Sequence, residues 1–374
     1  MENYKVYPLF DIEIEKGEGY KVYDINGEEY LDLYGGHAVI SIGHSHPKYV
    51  KAISEQVARL GFYSNSVKIP LQEQLAQRLG EVSGYADYQL FLCSSGAEAN
   101  ENALKLASFQ NGRKKVVGFK MGFHGRTSLA VAVTDNKKIQ AAVNPTDHVV
   151  LLEIGDIEGV KSVLKNNDVA CVIIEGIQGV AGIYEPSAEF LKSLAAVCKE
   201  TGTVLILDEV QSGYGRTGKF FAHQHADIKP DLITVAKGMG NGFPIGGVLI
   251  SPEFKAEFGQ LGTTFGGNHL ACAAGNAVLD VIKEEGLIEN CAEVGDYLKQ
   301  ELSKIDEVRE IRGRGLLIGV DFDFPVKDIR NKLVKEHKIF TGAASNPNTL
   351  RLLPPMGIGK KEVDTFIEAL KAVL

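Results

Sequence analysis

Seven short apolar runs between residues 88 and 251 constrain the fold of this chain more than any other feature. The runs are rich in Val, Ile and Leu, and segments with helical spacing lie between several of them. Continuous apolar runs of this length are typical of parallel strands that are buried on both faces. We therefore predict an α/β fold with a large, mostly parallel, seven-stranded sheet that helices cover on both faces. The predicted strands span residues 88–93, 115–119, 148–152, 169–174, 203–207, 231–236 and 246–251, and the predicted helices span 96–110, 156–165 and 187–202.

The two ends of the chain differ from this middle part. Residues 1–50 contain short strand patterns and an Asn-Gly hairpin signal, and residues 280–374 combine two charged amphipathic helices with short strands. A chain of 374 residues is long enough for one large domain and a smaller one. We predict a large domain over residues 51–279 and a smaller α+β domain formed by residues 1–50 together with 280–374.

Composition limits the possible partners and the location. The formal net charge of -8 argues against binding to nucleic acid or to an anionic membrane surface. The five cysteines are widely spaced, which predicts neither a disulfide framework nor a zinc site and fits a reducing cytoplasm. The charged start of the chain and the lack of a long apolar stretch argue against export and membrane anchoring.

Polar residues that follow three of the predicted strands indicate a binding site, because ligands of such sheets bind beyond the carboxyl ends of the strands. A small-residue turn at Gly96 and Ala97 opens a predicted helix and offers free N–H groups to an anion of phosphate size. Asp208 and Glu209 follow a second strand, and Lys237 follows a third. Each feature alone could be an ordinary strand end, and the acid and the lysine could be a structural ion pair.

Together, the three features match the needs of pyridoxal 5'-phosphate. This cofactor requires an anion site for its phosphate, a carboxylate at its ring nitrogen and a lysine amine for its aldehyde. The sequence therefore predicts a pyridoxal phosphate site in which Lys237 is the covalent anchor.

Two other classes of enzyme and a metal site fit less well. Residues 213–219 match the nucleotide-binding pattern G-x-x-x-x-G-K, but Phe220 follows where that loop needs Ser or Thr. No G-x-G-x-x-G follows a strand, which disfavours a nicotinamide enzyme. The pairs His44/His46 and His223/His225 lack a third ligand, so no metal site is predicted. A protein that binds ligands without a cofactor remains an alternative.

Eight segments, in this order, resemble the class III, ornithine-type aminotransferases of pyridoxal phosphate fold type I, most closely their acetylornithine/succinylornithine branch. The resemblance implies transfer of the δ-amino group of an N-acylornithine to 2-oxoglutarate, giving the acylated glutamate semialdehyde and glutamate, in arginine biosynthesis. The alternative within the family is another ω-amine donor, such as free ornithine or 4-aminobutyrate. The segments are LDLYGGHAVISIGHSHP, SSGAEANENALKLA, FHGRT, EGIQGVAGI, ILDEVQSGYGRTGKFFA, KPDLITVAKGMGNGFPIGG, GTTFGGNHLACAA and LRLLPP.

The resemblance also assigns roles to individual residues around the cofactor. It implies that Lys237 bonds to the aldehyde and later shuttles the substrate proton, and that Asp208 pairs with the ring nitrogen. It further implies a homodimer, in which Thr264 reaches the cofactor phosphate of the partner subunit. The remaining contacts implied by the family are Gln211 near the ring hydroxyl, Phe123 and Val210 on the two ring faces, and Ser95, Gly96 and Ala97 at the phosphate.

Two arginines carry the specificity that the resemblance implies. Arg126 is similar to the residue that holds the carboxylate remote from the reacting carbon, and Arg351 to the one that holds the carboxylate beside it. A guanidinium suits both tasks. The sequence departs from the family at Val180, where many members have a glutamate that masks the second arginine. His37 and Lys68 stand where enzymes for free ornithine have tyrosines, which favours an acylated donor and, through the lysine charge, N-succinylornithine.

Overall fold

The structure of the protein, a computed structural model, describes residues 1–374. The elements of the first part of the chain are β1 (Ile14–Glu18), β2 (Lys21–Asp24), β3 (Glu29–Asp32), α1 (Gly35–Ala38), α2 (Pro47–Arg59) and α3 (Pro70–Ser83). Those of the middle part are β4 (Gln89–Cys93), α4 (Gly96–Asn111), β5 (Lys115–Phe119), α5 (Ser128–Ala132), β6 (Val149–Leu152), α6 (Ile157–Leu164), β7 (Val169–Glu175), α7 (Gly179–Gly182), α8 (Ala188–Thr201), β8 (Val204–Asp208), β9 (Leu232–Val235) and β10 (Gly246–Ile250). Those of the last part are α9 (His269–Glu284), α10 (Leu287–Leu302), β11 (Glu310–Arg314), β12 (Leu317–Asp321), α11 (Lys327–His337), β13 (Ile339–Phe340), β14 (Gly342–Ala343), β15 (Thr349–Leu352) and α12 (Lys360–Val373).

The middle part forms one seven-stranded sheet in the order β4-β10-β9-β8-β7-β5-β6. Only β10 runs antiparallel to its neighbours, and the remaining strand pairs are parallel. All seven residues of β7 are buried, which explains the uninterrupted apolar run there. One face packs against α4 and the other against α6 and α8. The predicted α/β fold is confirmed, and each predicted strand agrees with the structure to within one residue at either end.

Two smaller sheets flank the large one. In the first, β1, β2 and β3 form an antiparallel meander, and β13 from the last part of the chain joins β3 in parallel. The second is antiparallel, in the order β11-β12-β15-β14. Both ends of the chain thus contribute to one sheet. The predicted boundaries at 50/51 and 279/280 lie inside α2 and α9, and the division into domains stays a prediction.

The register of three central strands decides which residues meet at the carboxyl edge of the large sheet. Glu175 on β7 is paired with Asp208 on β8, and Asp208 is paired in turn with Thr234 on β9. Lys237 follows three residues after Thr234, at the start of a 3-10 turn. An apolar interior thus ends in a row of polar side chains. No helix of the protein has both the length and the apolar character needed to cross a bilayer.

Candidate active site

The carboxylate of Asp208 lies at the sheet edge among three donors. Asn100 Nδ2 donates to Asp208 Oδ2 over 2.8 Å, and the amide N–H of Val210 donates to Oδ1 over 3.0 Å. His124 Nδ1 lies 2.8 Å from Oδ2. Burial lowers the pKa of His124, but the hydrogen bond and the charge of Asp208 together raise it by more. These partners stabilise negative charge on a side chain that is almost closed to bulk water.

Glu209, the next residue, turns away from this edge into the protein. Its carboxylate accepts hydrogen bonds from Ser212 Oγ at 2.6 Å and from the amide N–H groups of Ala222 and His223 at 3.0 and 2.9 Å. His223 Nδ1 lies 2.8 Å away, and Tyr85 Oη lies 2.6 Å from His223 Nε2. Of the two adjacent carboxylates seen in the sequence, only Asp208 therefore faces the site, while Glu209 anchors the turn behind it.

Glu175 places a second carboxylate beside Asp208. Its Oε1 accepts from the Phe123 amide N–H at 2.9 Å and its Oε2 from the Gly179 amide N–H at 3.0 Å. Burial raises the pKa of Glu175 to about 7, and the charge of Asp208 acts in the same direction. This residue therefore titrates close to neutral pH and fixes two loops that border the site.

Lys237 is held in an unusual backbone conformation. Its φ of 44° lies in the left-handed region, which a residue other than glycine adopts only when its surroundings enforce it. Burial lowers the pKa of the ammonium group to about 8, although the charges of Asp208 and Glu175 oppose the shift. A substantial fraction of this amine is therefore neutral, and so nucleophilic, near physiological pH.

Helix α4 points its N-terminus at the same region. Ser95 is its N-cap, and Ser95 Oγ accepts from the Glu98 amide N–H at 3.2 Å, which leaves the hydroxyl proton free to donate. A Cβ atom at Gly96 would lie 2.7 Å from Val210 Cγ1, so only glycine lets the helix start approach the turn that follows β8. The free N–H groups of the first turn make an anion site there.

A cavity of about 400 Å³ joins these groups. Gln211 contributes one buried atom without a partner: its Nε2 donates to the His37 carbonyl at 3.0 Å, while its Oε1 accepts no hydrogen bond. This buried acceptor in the cavity wall is available to a donor on a bound ligand. The predicted site residues that line the cavity are Ser95, Gly96, Ala97, Phe123, Arg126, Asp208, Val210, Gln211 and Lys237.

Comparison with known proteins decides the family. The model of the family described as aminotransferase class-III matches residues 3–374. The chain belongs to the class-III aminotransferases. The acetylornithine aminotransferase of Bacillus subtilis is 40% identical over 377 residues, covering 99% of this chain and 97% of that protein. The acetylornithine aminotransferase of Archaeoglobus fulgidus is 41% identical over 367 residues, covering 97% and 96%.

Solved structures of other aminotransferases share the fold over almost the whole chain. The ornithine aminotransferase of Toxoplasma gondii superposes with a TM-score of 0.91 at 31% identity, covering 99% of this chain and 92% of that one, and has partial occupancy of PLP at its active site. The acetylornithine aminotransferase of Elizabethkingia anophelis gives a TM-score of 0.85 at 28% identity, covering 98% and 94%. The chain is therefore an aminotransferase with the fold predicted from its sequence.

Two predicted site residues of this aminotransferase do not line the cavity. Arg351 on β15 is buried, and its guanidinium donates to the carbonyls of Ala343 at 2.5 Å and Gly179 at 2.9 Å. Burial lowers the pKa of Arg351 to about 10. Thr264 is exposed on the loop between β10 and α9. Val180 does line the cavity, directly after the carbonyl that Arg351 contacts.

Three residues of the aminotransferase site were not predicted from the sequence: Asn100, His124 and Glu175. All three contact Asp208 or lie beside it, and each lies inside one of the eight segments that resemble the family. Asn100 lies one helical turn after the anion site, so it faces the same direction as the helix start. His124 directly follows Phe123, and Glu175 ends a strand. The closeness of these residues to predicted site residues, and the position of Glu175 at a strand end, were usable signals.

The G-x-x-x-x-G-K segment, residues 213–219, is not a nucleotide-binding loop in this aminotransferase. It lies in turns after β8, and no α-helix begins at its end. Arg216 is fully buried there, and it donates to the carbonyls of Ile40, Leu316 and Pro354 at 3.2, 3.2 and 2.7 Å. The segment therefore ties the three parts of the chain together instead of holding a phosphate.

Proposed function

We propose that this aminotransferase transfers the δ-amino group of an N-acylornithine to 2-oxoglutarate, producing the acylated glutamate semialdehyde and glutamate, as a step of arginine biosynthesis. One observation carries the chemistry: Lys237, Asp208 and the start of α4 border one cavity. The choice of substrate is supported by the full-length relatives, which are named acetylornithine aminotransferases.

The residues present fit pyridoxal phosphate. The N–H groups at Gly96 and Ala97 and the hydroxyl of Ser95 would hold the phosphate, and Asp208 would hold the protonated ring nitrogen. The unpaired Oε1 of Gln211 would accept from the ring hydroxyl. When bound, the cofactor supplies an electrophilic aldehyde and a ring that takes up electrons as the substrate C–H bond breaks.

Within this site Lys237 has two tasks. Its neutral amine, favoured by the lowered pKa, is the nucleophile that anchors the cofactor. Once a substrate amine has replaced it, Lys237 Nζ is free to take the proton from the substrate carbon that bears the amino group. Asn100 and His124 keep Asp208 in position during these steps, because both lie within hydrogen-bonding distance of Oδ2.

Substrate carboxylates would be recognised by the two arginines. Arg126 is exposed at the cavity and makes no ion pair, so it is available for the carboxylate remote from the reacting carbon. Arg351, buried behind Val180, would take the carboxylate next to the reacting carbon. His37 and Lys68 favour an acylated donor over free ornithine, and the charge of Lys68 favours a succinyl group.

We infer that the enzyme is a cytoplasmic homodimer. Thr264 lies on an exposed loop that carries large apolar side chains, among them Phe258 and Phe265. The Phe265 ring packs against the exposed ring of Phe62, with centroids 5.6 Å apart. Exposed apolar clusters of this kind mark interfaces between subunits. In the dimer, Thr264 would reach the cofactor phosphate of the partner.

The visible absorption of the purified protein tests the proposed function. We expect a yellow protein whose absorption bleaches with N-acetylornithine or N-succinylornithine at far lower concentration than with free ornithine or 4-aminobutyrate. The Lys237→Ala variant should have no turnover. A yellow protein that no acylated donor bleaches would refute the proposed substrate, and a colourless protein that added cofactor does not restore would refute the chemistry.

Choice between the two acyl groups needs a separate comparison. We expect Lys68→Ala to lower kcat/KM for N-succinylornithine and to leave kcat/KM for N-acetylornithine nearly unchanged, because only the succinyl group carries a second carboxylate. Equal effects on both donors would remove Lys68 from the account of specificity.

A further inference from the structure

Two arginines beside one of the smaller sheets bind carbonyls that are two residues apart, and neither forms a salt bridge. Arg330 is on α11 and Arg351 is on β15. Tyr34 lies in the electrostatic field of both, and the charges of Arg330 and of Glu175 act on Arg351. Burial lowers the pKa of both guanidinium groups, which shows that neither is fully solvated. Two like charges held together in this way are unfavourable unless an anion joins them.

Backbone carbonyls along the edge strand β14 hold both side chains. Arg330 Nε and Nη2 donate to the Thr341 carbonyl at 3.3 and 3.0 Å. Arg351 Nε donates to the Ala343 carbonyl, two residues further on, and Arg351 Nη1 donates to the Gly179 carbonyl. Carbonyls satisfy N–H groups but do not neutralise charge. Nη1 of Arg330 and Nη2 of Arg351 remain without a protein acceptor, so both forks can receive a carboxylate.

Tyr34 and Thr341 add two further polar groups to this place. The ring of Tyr34 lies against Gly342, where an added Cβ would be 3.1 Å from Tyr34 Cδ2 and 3.2 Å from Arg351 Cβ. Thr341 is 3% exposed, and its Oγ1 has no hydrogen-bond partner. The residue whose carbonyl binds Arg330 thus also has a buried hydroxyl that is available to a ligand oxygen.

The site adjoins the cavity of the active site. The Gly179 carbonyl that binds Arg351 precedes Val180 in the cavity wall, and the ring of Tyr34 lies 4.7 Å from the ring of His37, centroid to centroid. The His37 carbonyl accepts from Gln211, which also lines the cavity. Arg351 and Tyr34 therefore connect the two arginines to the wall of the active-site cavity.

We propose that Arg330, Arg351, Tyr34 and Thr341 form one carboxylate subsite, in which Arg330 is a specificity-determining residue for the dicarboxylate that accepts the amino group. The proposal rests on the proposed function, since it concerns the acceptor of the same reaction. The family resemblance assigns only Arg351. Arg330 supplies a second positive charge to the subsite for the carboxylate beside the reacting carbon, so it favours a ligand that carries a carboxylate there, as 2-oxoglutarate does and N-acetylornithine does not.

Calorimetric titration of the holoenzyme with glutarate tests the subsite directly. Glutarate has the two carboxylates of 2-oxoglutarate but no carbonyl carbon, so it binds without reacting. We expect Arg330→Gln to weaken glutarate binding by roughly tenfold to a hundredfold, the range for losing a hydrogen bond to a charged group. Arg330→Lys should recover part of the affinity. Lys335→Gln removes one exposed charge from the same helix and should bind glutarate as the wild type does.

The kinetic signature separates specificity from support of the fold. Arg330→Gln should raise KM for 2-oxoglutarate by a similar factor and leave KM for N-acetylornithine unchanged, because the family resemblance assigns the carboxylate of that donor to Arg126. Arg330→Met, which keeps the apolar stem, serves if Arg330→Gln does not fold.

Three results would overturn the subsite: no glutarate binding by the wild type, unchanged glutarate affinity in the Arg330 variants, or equal losses for donor and acceptor together with a lower unfolding temperature. A wild type that binds glutarate through Arg330 but reacts with no N-acylornithine would refute the proposed donor while supporting the subsite.

Discussion

Replacing Lys237 by methionine should stabilise the protein once the cofactor is removed. Methionine has nearly the length of lysine but carries no charge, and it keeps the same left-handed backbone position, so backbone strain is matched. Burial lowers the pKa of Lys237 from 10.5 to about 8. Since each tenfold change in a proton equilibrium is worth roughly 1.4 kcal/mol, the folded apoenzyme holds this ammonium at a cost of about 3 kcal/mol.

The pH dependence follows from the direction of the shift. Well below pH 8 the lysine is protonated in both the folded and the unfolded chain, so the full penalty applies. Between about pH 8 and pH 10.5 the unfolded chain binds the proton and the folded chain does not, so the free energy of unfolding rises with pH. The advantage of Lys237→Met should therefore be largest below pH 8 and should disappear above pH 10.5.

Urea unfolding of the two apoenzymes at equal protomer concentration measures this difference. Lys335→Met is the matched control, because Lys335 is exposed and its removal should leave the pH profile unchanged. A stability difference between wild type and Lys237→Met that stays constant across this pH range, or a wild type that is the more stable protein below pH 8, would refute the reasoning.

Three further substitutions probe the surroundings of the site. Asn100→Ala removes a donor to Asp208 and should weaken cofactor binding by roughly tenfold, measured by absorbance titration of the apoenzyme; unchanged affinity would contradict it. Tyr85→Phe leaves His223 Nε2 without its hydrogen-bond partner. Urea unfolding should show a free energy of unfolding that is lower by about 1–3 kcal/mol, and steady-state kinetics should show little change in kcat. A large fall in kcat at unchanged stability would contradict a purely structural role for Tyr85. Gly96→Ala should weaken cofactor binding more than Asn100→Ala in the same titration, because its methyl group would lie 2.7 Å from a Cγ atom of Val210. Equal or tighter binding would show that the close approach of α4 to Val210 does not limit cofactor affinity.

Features that depend on local sequence could be predicted well. The strands of the large sheet were found because a strand buried on both faces must be apolar throughout, and this signal is contained in five or six residues. The same holds for Asp208, Lys237 and the turn at Gly96, since each directly follows such a strand. Where a parallel strand ends, its side chains meet the site in any sheet of this class.

Features that depend on pairing between distant segments could not be read in this way. The contact of Asn100 with Asp208 joins residues 108 positions apart, and the pairing of Glu175 with Asp208 requires β7 and β8 to be neighbours. Glu209 illustrates the opposite case: next to Asp208 in sequence, it is directed away because a strand alternates its side chains between faces. The neutral partners of Arg351 were invisible because they are backbone carbonyls.

Glu175 and Lys237, the two groups near Asp208 whose pKa values are shifted by burial, make cofactor binding depend on pH. Burial raises the pKa of Glu175 to about 7, so stability falls as pH rises from the ordinary glutamate value of 4.5 to 7, the opposite of the trend for Lys237. Above about pH 7 and below about pH 8, both penalties are present at once. Bonding of the cofactor to Lys237, together with pairing of its ring nitrogen with Asp208, would remove most of the free-energy penalty of these buried charges. Stabilisation of the apoenzyme by added cofactor should therefore be greatest within that interval and smaller at higher pH, which thermal unfolding with and without cofactor measures; a stabilisation independent of pH would show that these charges do not drive binding.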